Sequence, residues 1–335
     1  RMRIQLRSLA LPLIVILSLK PIMAESELEI GIDWHGSEKA RILEDILPIT
    51  PDIGGGPLLP SNTIILSHIE GPVLNLGYGL KSPSWRLGFR LGLSPRGSLL
   101  GEGSDEDYLR LEDSRIGLRA FPGGPRTGDS VYSSQRTLTF QDSPFQQRGA
   151  QKRFSVEGLY FWGAPYIGLA ASYNTTDIEA SSPGYSMFYS TAGPILLTGY
   201  SPLDFEIKDT ERSLGIVLGG EWTSGPWAFD LGIRITNVHS TSRYFIYTRN
   251  RSIIWEAKGW SMELRSEVAR AIEGTTTSLF ARASLYRSSA VGNAGFSDIG
   301  ILTPLLSGRA PLIIQDIARI EERSLNLGFG VRSQL

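Results

Sequence analysis

Residues 74–93 read LNLGYGLKSPSWRLGFRLGL. An apolar residue stands at every second position from 74 to 80 and again from 85 to 93, with small or polar residues in most of the other positions. This period of two is typical of a β-strand that has one apolar face. Ser82 and Pro83, between the two runs, favour a tight reversal of the chain. The stretch therefore predicts two antiparallel strands joined by a very short turn.

The same alternation recurs along the chain, with apolar runs at 28–34, 167–173, 214–218, 227–235, 260–268, 279–285 and 325–331. Residues 154–161 also indicate a strand, although their apolar phase is ambiguous. Four pairs of runs are separated by short turns that contain the Gly, Pro or Ser typical of reversals, namely Ser82-Pro83, Gly163-Ala164, Ser224-Gly225 and Glu273-Gly274. The other connections are roughly 20 to 60 residues long, whereas most loops have only a few residues.

Short turns at one end and long loops at the other are typical of transmembrane β-barrels, which close with an even number of strands. Four hairpins plus a first and a last strand predict an all-β, antiparallel up-and-down barrel of about ten strands. Residues 108–121 and 131–140 could add a spanning hairpin and make twelve, but Arg136 would then face lipid at a high cost. We expect instead a hairpin above the membrane, inside a long extracellular loop at about 94–152.

The composition excludes several functional classes. The chain has 335 residues, no cysteine, and 33 basic against 34 acidic residues. Without cysteine there is no disulfide scaffold and no cysteine-based zinc or redox site, and the near-neutral charge does not favour a nucleic-acid partner. The mean hydropathy of −0.06 does not suit a helical membrane protein, but alternation averages the hydropathy of a membrane barrel to near zero. A soluble all-β protein and an outer-membrane barrel remain.

The N-terminus indicates export. Arg3 and Arg7 precede the apolar run Leu9–Leu19, and cleavage could follow Ala24. This is the layout of a secretory signal peptide, and its apolar core is too short to span a bilayer as a helix. We predict a signal peptide at 1–24 and a single barrel domain at 25–335, in the outer membrane of a diderm bacterium with the long loops facing the cell exterior.

The tryptophans provide an independent test of a membrane barrel. Four flank the short turns and three lie near the opposite ends of their strands: Trp85, Trp162, Trp222 and Trp227, then Trp34, Trp255 and Trp260. None falls in the middle of a predicted strand. Two aromatic girdles at the membrane interfaces would produce this placement.

Many charged residues fall in the phase that faces the barrel interior: Arg86, Arg90, Asp230, Arg234, Glu263, Arg265, Glu267, Arg282 and Arg332. A barrel of about ten strands has an interior that side chains can fill, and buried charges of both signs are expected to pair. This favours a plugged barrel over a channel, and it places the function on the outer loops.

Several stretches resemble the omptins, a family of ten-stranded outer-membrane endopeptidases. Ile30-Gly31 followed by residues 36–42 is similar to the end of the family's first strand, and residues 153–173 resemble its central hairpin. Residues 185–190 continue the similarity, and Asp105-Glu106-Asp107-Tyr108 is similar to the family's Asp-x-Asp followed by an aromatic residue. The resemblance spans most of the chain at low identity and implies a surface endopeptidase.

The resemblance also implies a catalytic arrangement, in which an Asp pair faces an Asp-x-His pair across a cleft and a water between them is the nucleophile. Asp105 and Asp107 match the first pair. In place of the second pair the fourth loop has Asn237-Val238-His239, and an amide cannot stabilise an imidazolium as a carboxylate does. Asp33-Trp34-His35 offers an alternative pair with suitable chemistry, on the inner face of the first strand.

The family also binds lipopolysaccharide through basic residues of the outer wall, and Lys152 and Arg153 match that region. Apart from this lipid, we expect no cofactor, metal or nucleic-acid partner, and a monomer is favoured. Three functions remain open. They are an omptin-like surface endopeptidase, a catalytically silent barrel that acts as an adhesin or structural protein, and, less favoured, a small-solute channel.

Overall fold

A computed structural model describes residues 25–46, 61–109, 140–181, 185–190, 193–198, 205–247, 251–298 and 312–335. The predicted signal peptide at 1–24 and most of the predicted second-loop hairpin, residues 110–139, lie outside the described residues. In these ranges we find no helix with the length and apolar character needed to cross a membrane.

The described residues form twelve β-strands, numbered in chain order: β1 Glu25–Ile46, β2 Ser61–Lys81, β3 Trp85–Leu109, β4 Phe140–Phe161, β5 Pro165–Ser181, β6 Tyr185–Ser190, β7 Gly193–Thr198, β8 Phe205–Ser224, β9 Trp227–Ile246, β10 Arg251–Ala271, β11 Thr277–Asp298 and β12 Leu312–Gln334.

The strands form one antiparallel sheet that closes on itself. Its order is β3-β2-β1-β12-β11-β10-β9-β8-β5-β4, and β3 also pairs with β4, which completes a ten-stranded barrel. The short strands β6 and β7 form a hairpin that pairs with the start of β4. At three of the tight turns Gly163, Gly225 and Gly274 adopt positive φ angles, which glycine tolerates without strain. The predicted all-β barrel of ten strands is confirmed.

The strands are about twice as long as a membrane crossing requires, since a barrel strand crosses a bilayer with about 9–11 residues. β3 has 25 residues and β4 has 22. Within the extracellular loop predicted at about 94–152, residues 94–109 and 140–152 are strand. The apolar alternation that marks β3 ends near Leu93, where the outer face leaves the lipid, while the backbone pairing continues beyond it.

A band of exposed apolar side chains surrounds the barrel next to the short turns. It covers Leu28–Trp34 on β1, Leu214–Trp222 on β8 and Leu325–Val331 on β12, with similar segments on the other strands. Such a band is the lipid-facing surface of a membrane barrel. We call the end of the barrel beside this band the turn end and the opposite end the loop end.

Two of the predicted girdle residues mark the edge of the band towards the loop end. Trp34 and Trp260 are 53% and 52% exposed on the outer face. Trp255 corrects the prediction, because it is fully buried in the lumen. Side chains alternate along β10, so Trp255 and Trp260, five residues apart, face opposite sides of the wall.

Aromatic side chains in the lumen pack over glycines of neighbouring strands. A Cβ atom on Gly219 would lie 2.3 Å from the Tyr166 hydroxyl oxygen, and one on Gly232 would lie 2.5 Å from it. Phe280 covers Gly330 in the same way, with 2.6 Å to a built Cβ. Only glycine leaves room for these rings, so each contact fixes the register of the strands that it joins.

Candidate functional site

Ion pairs fill the half of the lumen nearest the turn end. Arg86 lies 2.8 Å from Glu221 and 3.0 Å from Asp230, and Arg234 lies 3.1 Å from Glu157. The prediction of paired lumen charges is confirmed for each of its residues: Arg86, Arg90, Asp230, Arg234, Glu263, Arg265, Glu267, Arg282 and Arg332.

These ion pairs surround a polar cavity of about 220 Å³. Its wall runs from Glu27 and Arg86 near the turn end to Glu211 and Tyr286 deeper in the lumen. Within the described part of the chain, no group of three or more His, Cys, Asp or Glu side chains is arranged to hold a metal ion. The cavity is large enough for several waters or for one small polar molecule.

A second group of charges lies beyond the apolar band, between this cavity and the loop end. Arg41 is fully buried, pairs with Asp209, and donates from Nε to the Ser242 hydroxyl at 2.7 Å. The Lys39 Nζ atom lies 2.9 Å from Glu322 and 3.5 Å from Asp209. We call Lys39, Arg41, Asp209 and Glu322 the central charge cluster.

The central charge cluster is stable in its ionised form. Burial opposes the ionisation of Asp209, but Arg41 and Lys39 outweigh it and hold the pKa of this carboxyl below its usual value. Burial also opposes the charge on Lys39, whereas Asp209 and Glu322 raise its pKa. Because a buried charge is costly without its partner, this cluster ties β1 to β8 and β12.

The lumen nearer the loop end is filled with apolar side chains. Every barrel strand contributes to this apolar cluster, which comprises Leu43, Ile65, Ile69, Val73, Leu99, Phe145, Ile178, Ala180, Phe205, Ile207, Tyr244, Ile253, Trp255, Ala257, Ala290, Ala294, Ala318 and Ile320. The ring centroids of Phe145 and Phe205 are 4.5 Å apart, those of Phe205 and Tyr244 are 4.8 Å apart, and those of Tyr244 and Trp255 are 6.4 Å apart. This row of rings runs along the lumen face of β4, β8, β9 and β10.

Asp105 and Asp107 lie near the loop end of β3. Asp105 is the register partner of Ile65 on β2, and Ile65 belongs to the apolar cluster. Phe145, in the same cluster, pairs with β3 two residues before Asp105. Ile65 and Phe145 therefore line the lumen beside this part of β3, and Arg41 of the central charge cluster lies two strands away in the same register row.

Asn237 and His239 lie on the outer face of β9, where they alternate with the buried residues Val238 and Ser240. The His239 Nε2 atom lies 3.3 Å from Glu256 on the neighbouring strand. This placement corrects the expectation of a shared cleft with Asp105 and Asp107. The reason is that β9 continues beyond the membrane, so His239 stays in the outward phase of the strand.

The alternative pair does face the lumen. Asp33 and His35 are 6% and 1% exposed. The His35 Nδ1 atom lies 2.7 Å from Asn326 Oδ1, and Asp33 accepts a hydrogen bond from Arg282 Nε at 3.0 Å. The His35 imidazole and the Asp33 carboxylate thus each have a hydrogen-bond partner in the lumen.

This pair is remote from the acids of β3. Arg41 on β1 is the register partner of Ile65, which is in turn the partner of Asp105. His35 precedes Arg41 by six residues, which corresponds to roughly 20 Å along the strand. One water cannot bridge that distance, so His35 and Asp105 are not brought together.

Lys152 and Arg153 face opposite sides of the wall. Lys152 is exposed on the outer face, whereas Arg153 lines the lumen cavity. The expected lipid contact is therefore corrected for Arg153, since successive side chains of a strand alternate between the two faces.

Sequence reasoning missed a row of basic residues on the outer wall. Arg212 of β8, His239 of β9 and Lys258 of β10 are direct register partners. Arg212 and Lys258 are exposed, one step beyond the apolar band. Each of the three basic residues lies an even number of positions before or after an outward-facing apolar run of its strand. This spacing could have identified the row from the sequence.

The closed order of ten long antiparallel strands, the apolar outer band and the filled lumen define the fold of an outer-membrane β-barrel. The chain is similar to the crystal structure of the outer membrane protease OmpT from Escherichia coli, with a TM-score of 0.63 and 12% identity over 93% of this chain and 97% of that one. At such low identity the likeness concerns the fold alone.

Other similarities are weaker. The β domain of the Bordetella autotransporter BrkA is 11% identical, with a TM-score of 0.31 over 90% of this chain and 98% of that one. A FadL homologue from Pseudomonas aeruginosa is 9% identical, with a TM-score of 0.27 over 92% and 90%. No protein-family model and no curated protein matches the sequence.

Proposed function

We propose that the protein is a surface barrel of the outer membrane that does not hydrolyse peptides. Its long strands would carry the loops away from the membrane, towards the cell exterior, where they act as an adhesin or a structural surface. The observation that supports this most strongly is the placement of the three histidines of the chain. His35 is buried far from Asp105, while His68 and His239 lie on the outer face.

A water activated between carboxylates and an imidazole needs both groups within hydrogen-bond reach of it. On the described part of the lumen wall, Phe145 lies beside this segment of β3, and Phe205 and Tyr244 continue the row of rings from it. These side chains supply no general base at neutral pH. The apolar cluster also argues against the channel interpretation, because it occupies much of the described lumen in the loop half.

An endopeptidase is the second candidate. It is favoured by one specific observation, the Asp-x-Asp at Asp105 and Asp107 on a barrel whose fold is like that of OmpT. Without a histidine, one of the two carboxylates would itself have to act as the general base.

The test uses the full chain refolded with lipopolysaccharide and a fluorogenic peptide that contains two adjacent basic residues. We expect no cleavage above background, for the wild type and for Asp107→Ala alike. Asp177→Ala, which changes an exposed aspartate of the outer wall, is the matched control. Cleavage that persists in Asp177→Ala and is lost in Asp107→Ala would overturn the proposal and establish the endopeptidase.

We also propose that the outer wall binds lipopolysaccharide phosphates. Lys152 and the row formed by Arg212, His239 and Lys258 support this, because they lie just beyond the apolar band, where we expect the lipid headgroups. Guanidinium and ammonium groups bind phosphate through charge-assisted hydrogen bonds.

A further inference from the structure

Pairing of the lumen charges is nearly complete, with two exceptions. Among the described residues that line the cavity, every charged side chain has an oppositely charged group within ion-pair distance except Arg153 and Glu211. It is unusual for two buried charges of opposite sign, such as Arg153 and Glu211, to remain unpaired, because a buried charge is costly without a partner.

Arg153 makes only long contacts. Its Nη2 atom lies 3.5 Å from Gln151 Oε1 and 3.5 Å from His35 Nδ1. His35 Nδ1 is already 2.7 Å from Asn326 Oδ1 and so serves as a donor there, which leaves it no lone pair for Arg153. A guanidinium normally forms bonds of about 2.7–2.9 Å with an anionic acceptor, and Arg153 has none.

Two acceptors nearby have no donor. Glu211 is 7% exposed; its Oε1 atom accepts the Tyr286 hydroxyl at 2.6 Å, while its Oε2 atom has no hydrogen-bond partner. The Asn174 Oδ1 atom is likewise buried without a partner. A buried acceptor without a donor is destabilising. An N–H group that donates to both atoms would therefore be stabilising.

The three residues form one row across the wall. Arg153 of β4 is the register partner of Asn174 on β5, and Asn174 is the register partner of Glu211 on β8. All three line the same cavity. Neighbouring strands are about 4.8 Å apart, so the backbones at Arg153 and Glu211 are about 10 Å apart. A small molecule can bridge that gap where the two side chains do not meet.

We propose that this row is a binding site for a small zwitterion of the α-amino acid class. The ligand's carboxylate would accept hydrogen bonds from Arg153, and its ammonium would donate to Glu211 Oε2 and Asn174 Oδ1. Ser155 and Ser172, which also line the cavity, add polar groups without bulk. The cavity of about 220 Å³ accommodates such a molecule.

The first experiment compares a zwitterion with its two halves. The full chain, refolded in detergent micelles at about pH 8 so that carboxyl groups are ionised, is titrated calorimetrically with glycine, L-alanine, acetate or methylammonium. We expect saturable binding of glycine and alanine at one per chain, and at least tenfold weaker binding of acetate and methylammonium. Absence of binding, or equal binding of acetate and glycine, would overturn the proposal and leave water as the occupant.

The second experiment assigns the site. Arg153→Gln and Glu211→Gln are each expected to weaken glycine binding by tenfold or more, whereas Arg270→Gln, which makes the same change to an exposed residue on the outer face at the turn end, should bind as the wild type does. Heat-modifiable electrophoretic mobility verifies that each variant is folded. Wild-type affinity in the folded Arg153→Gln and Glu211→Gln variants would exclude this row as the site. This result does not depend on whether the barrel cleaves peptides.

Discussion

Glu211 is a buried carboxyl group beside the central charge cluster. Burial raises its pKa, and the nearby Glu322 carboxylate raises it further, against the opposing charges of Lys39 and Arg153 and the hydrogen bond from Tyr286. The folded protein therefore holds a proton that the unfolded chain releases over the same pH range. The stabilising contribution of this group is fully present below the unfolded pKa, near 4.5, and is lost as pH rises through the folded value.

We predict that Glu211→Gln becomes more stable relative to the wild type as pH rises, because the variant keeps the neutral shape and has no charge to bury. Urea unfolding of both proteins in micelles at about pH 5 and pH 8 measures the difference. Glu273→Gln, in the exposed turn before Gly274, is the control and should show no such trend. A difference between Glu211→Gln and the wild type that stays constant over this range would contradict the assignment.

Along each barrel strand, the apolar side chains face outward near the turn end and inward near the loop end. On β10 the apolar side chains face outward at Trp260 and Met262 but inward at Trp255 and Ile253. The other barrel strands show the same change, because the membrane covers the outer face near the turns and the apolar cluster occupies the lumen near the loops. Each long strand is thus a membrane strand and a core strand joined end to end.

Packing between strands can be tested at a glycine. We predict that Gly219→Ala lowers the free energy of unfolding by about 1–3 kcal/mol, because the new methyl group would overlap Tyr166 of β5. Gly88→Ala is the matched control, since a Cβ built there has no atom within 4 Å. Urea unfolding of the two variants measures the effect, and equal midpoints would show that the Tyr166 contact does not fix the register.

The sequence predicts the membrane half of the barrel because lipid on one face and a polar lumen on the other impose a period of two. For the same reason it places Asp33, His35 and the paired lumen charges correctly. The prediction fails where the outer face is no longer apolar or the lumen face is no longer polar. Trp255 falls after the phase change, and Arg153 lies next to a run with apolar residues on both faces, such as Phe154 and Leu159.

The position of His239 could not be predicted because it depends on how far β9 continues beyond the membrane. The apolar pattern of the sequence ends with the lipid, but the backbone pairing of β9 with β8 and β10 does not. The apolar cluster in the loop half of the lumen was also missed, because it depends on side chains that come from strands distant in sequence.

For the molecule as a whole, we expect the interaction with the membrane to depend on the basic residues of the outer wall as well as on the apolar band. We predict that Arg212→Gln combined with Lys258→Gln lowers the lipopolysaccharide retained by the refolded barrel several-fold. The loss should be greater at low salt than at high salt, since exposed charges are screened. Phosphate analysis of purified complexes measures the retained lipid.

Arg270→Gln serves as the control for that experiment. It removes a positive charge from the outer face at the turn end, where Arg270 lies over Trp227. Retention should be unchanged in this variant. Equal retention in the double variant and in the control would show that the basic row does not bind the lipid.

The seam between β1 and β12 has a consequence for how the barrel is made. Its partners, such as Lys39 and Glu322, are separated by nearly the whole chain. Each neighbouring hairpin can form from local contacts, whereas this pairing carries the largest loop-closure entropy. The seam is therefore expected to form last, so its charges remain hydrated until the final step of assembly. The same ion pairs that hold the finished barrel then act as a kinetic barrier to reopening it.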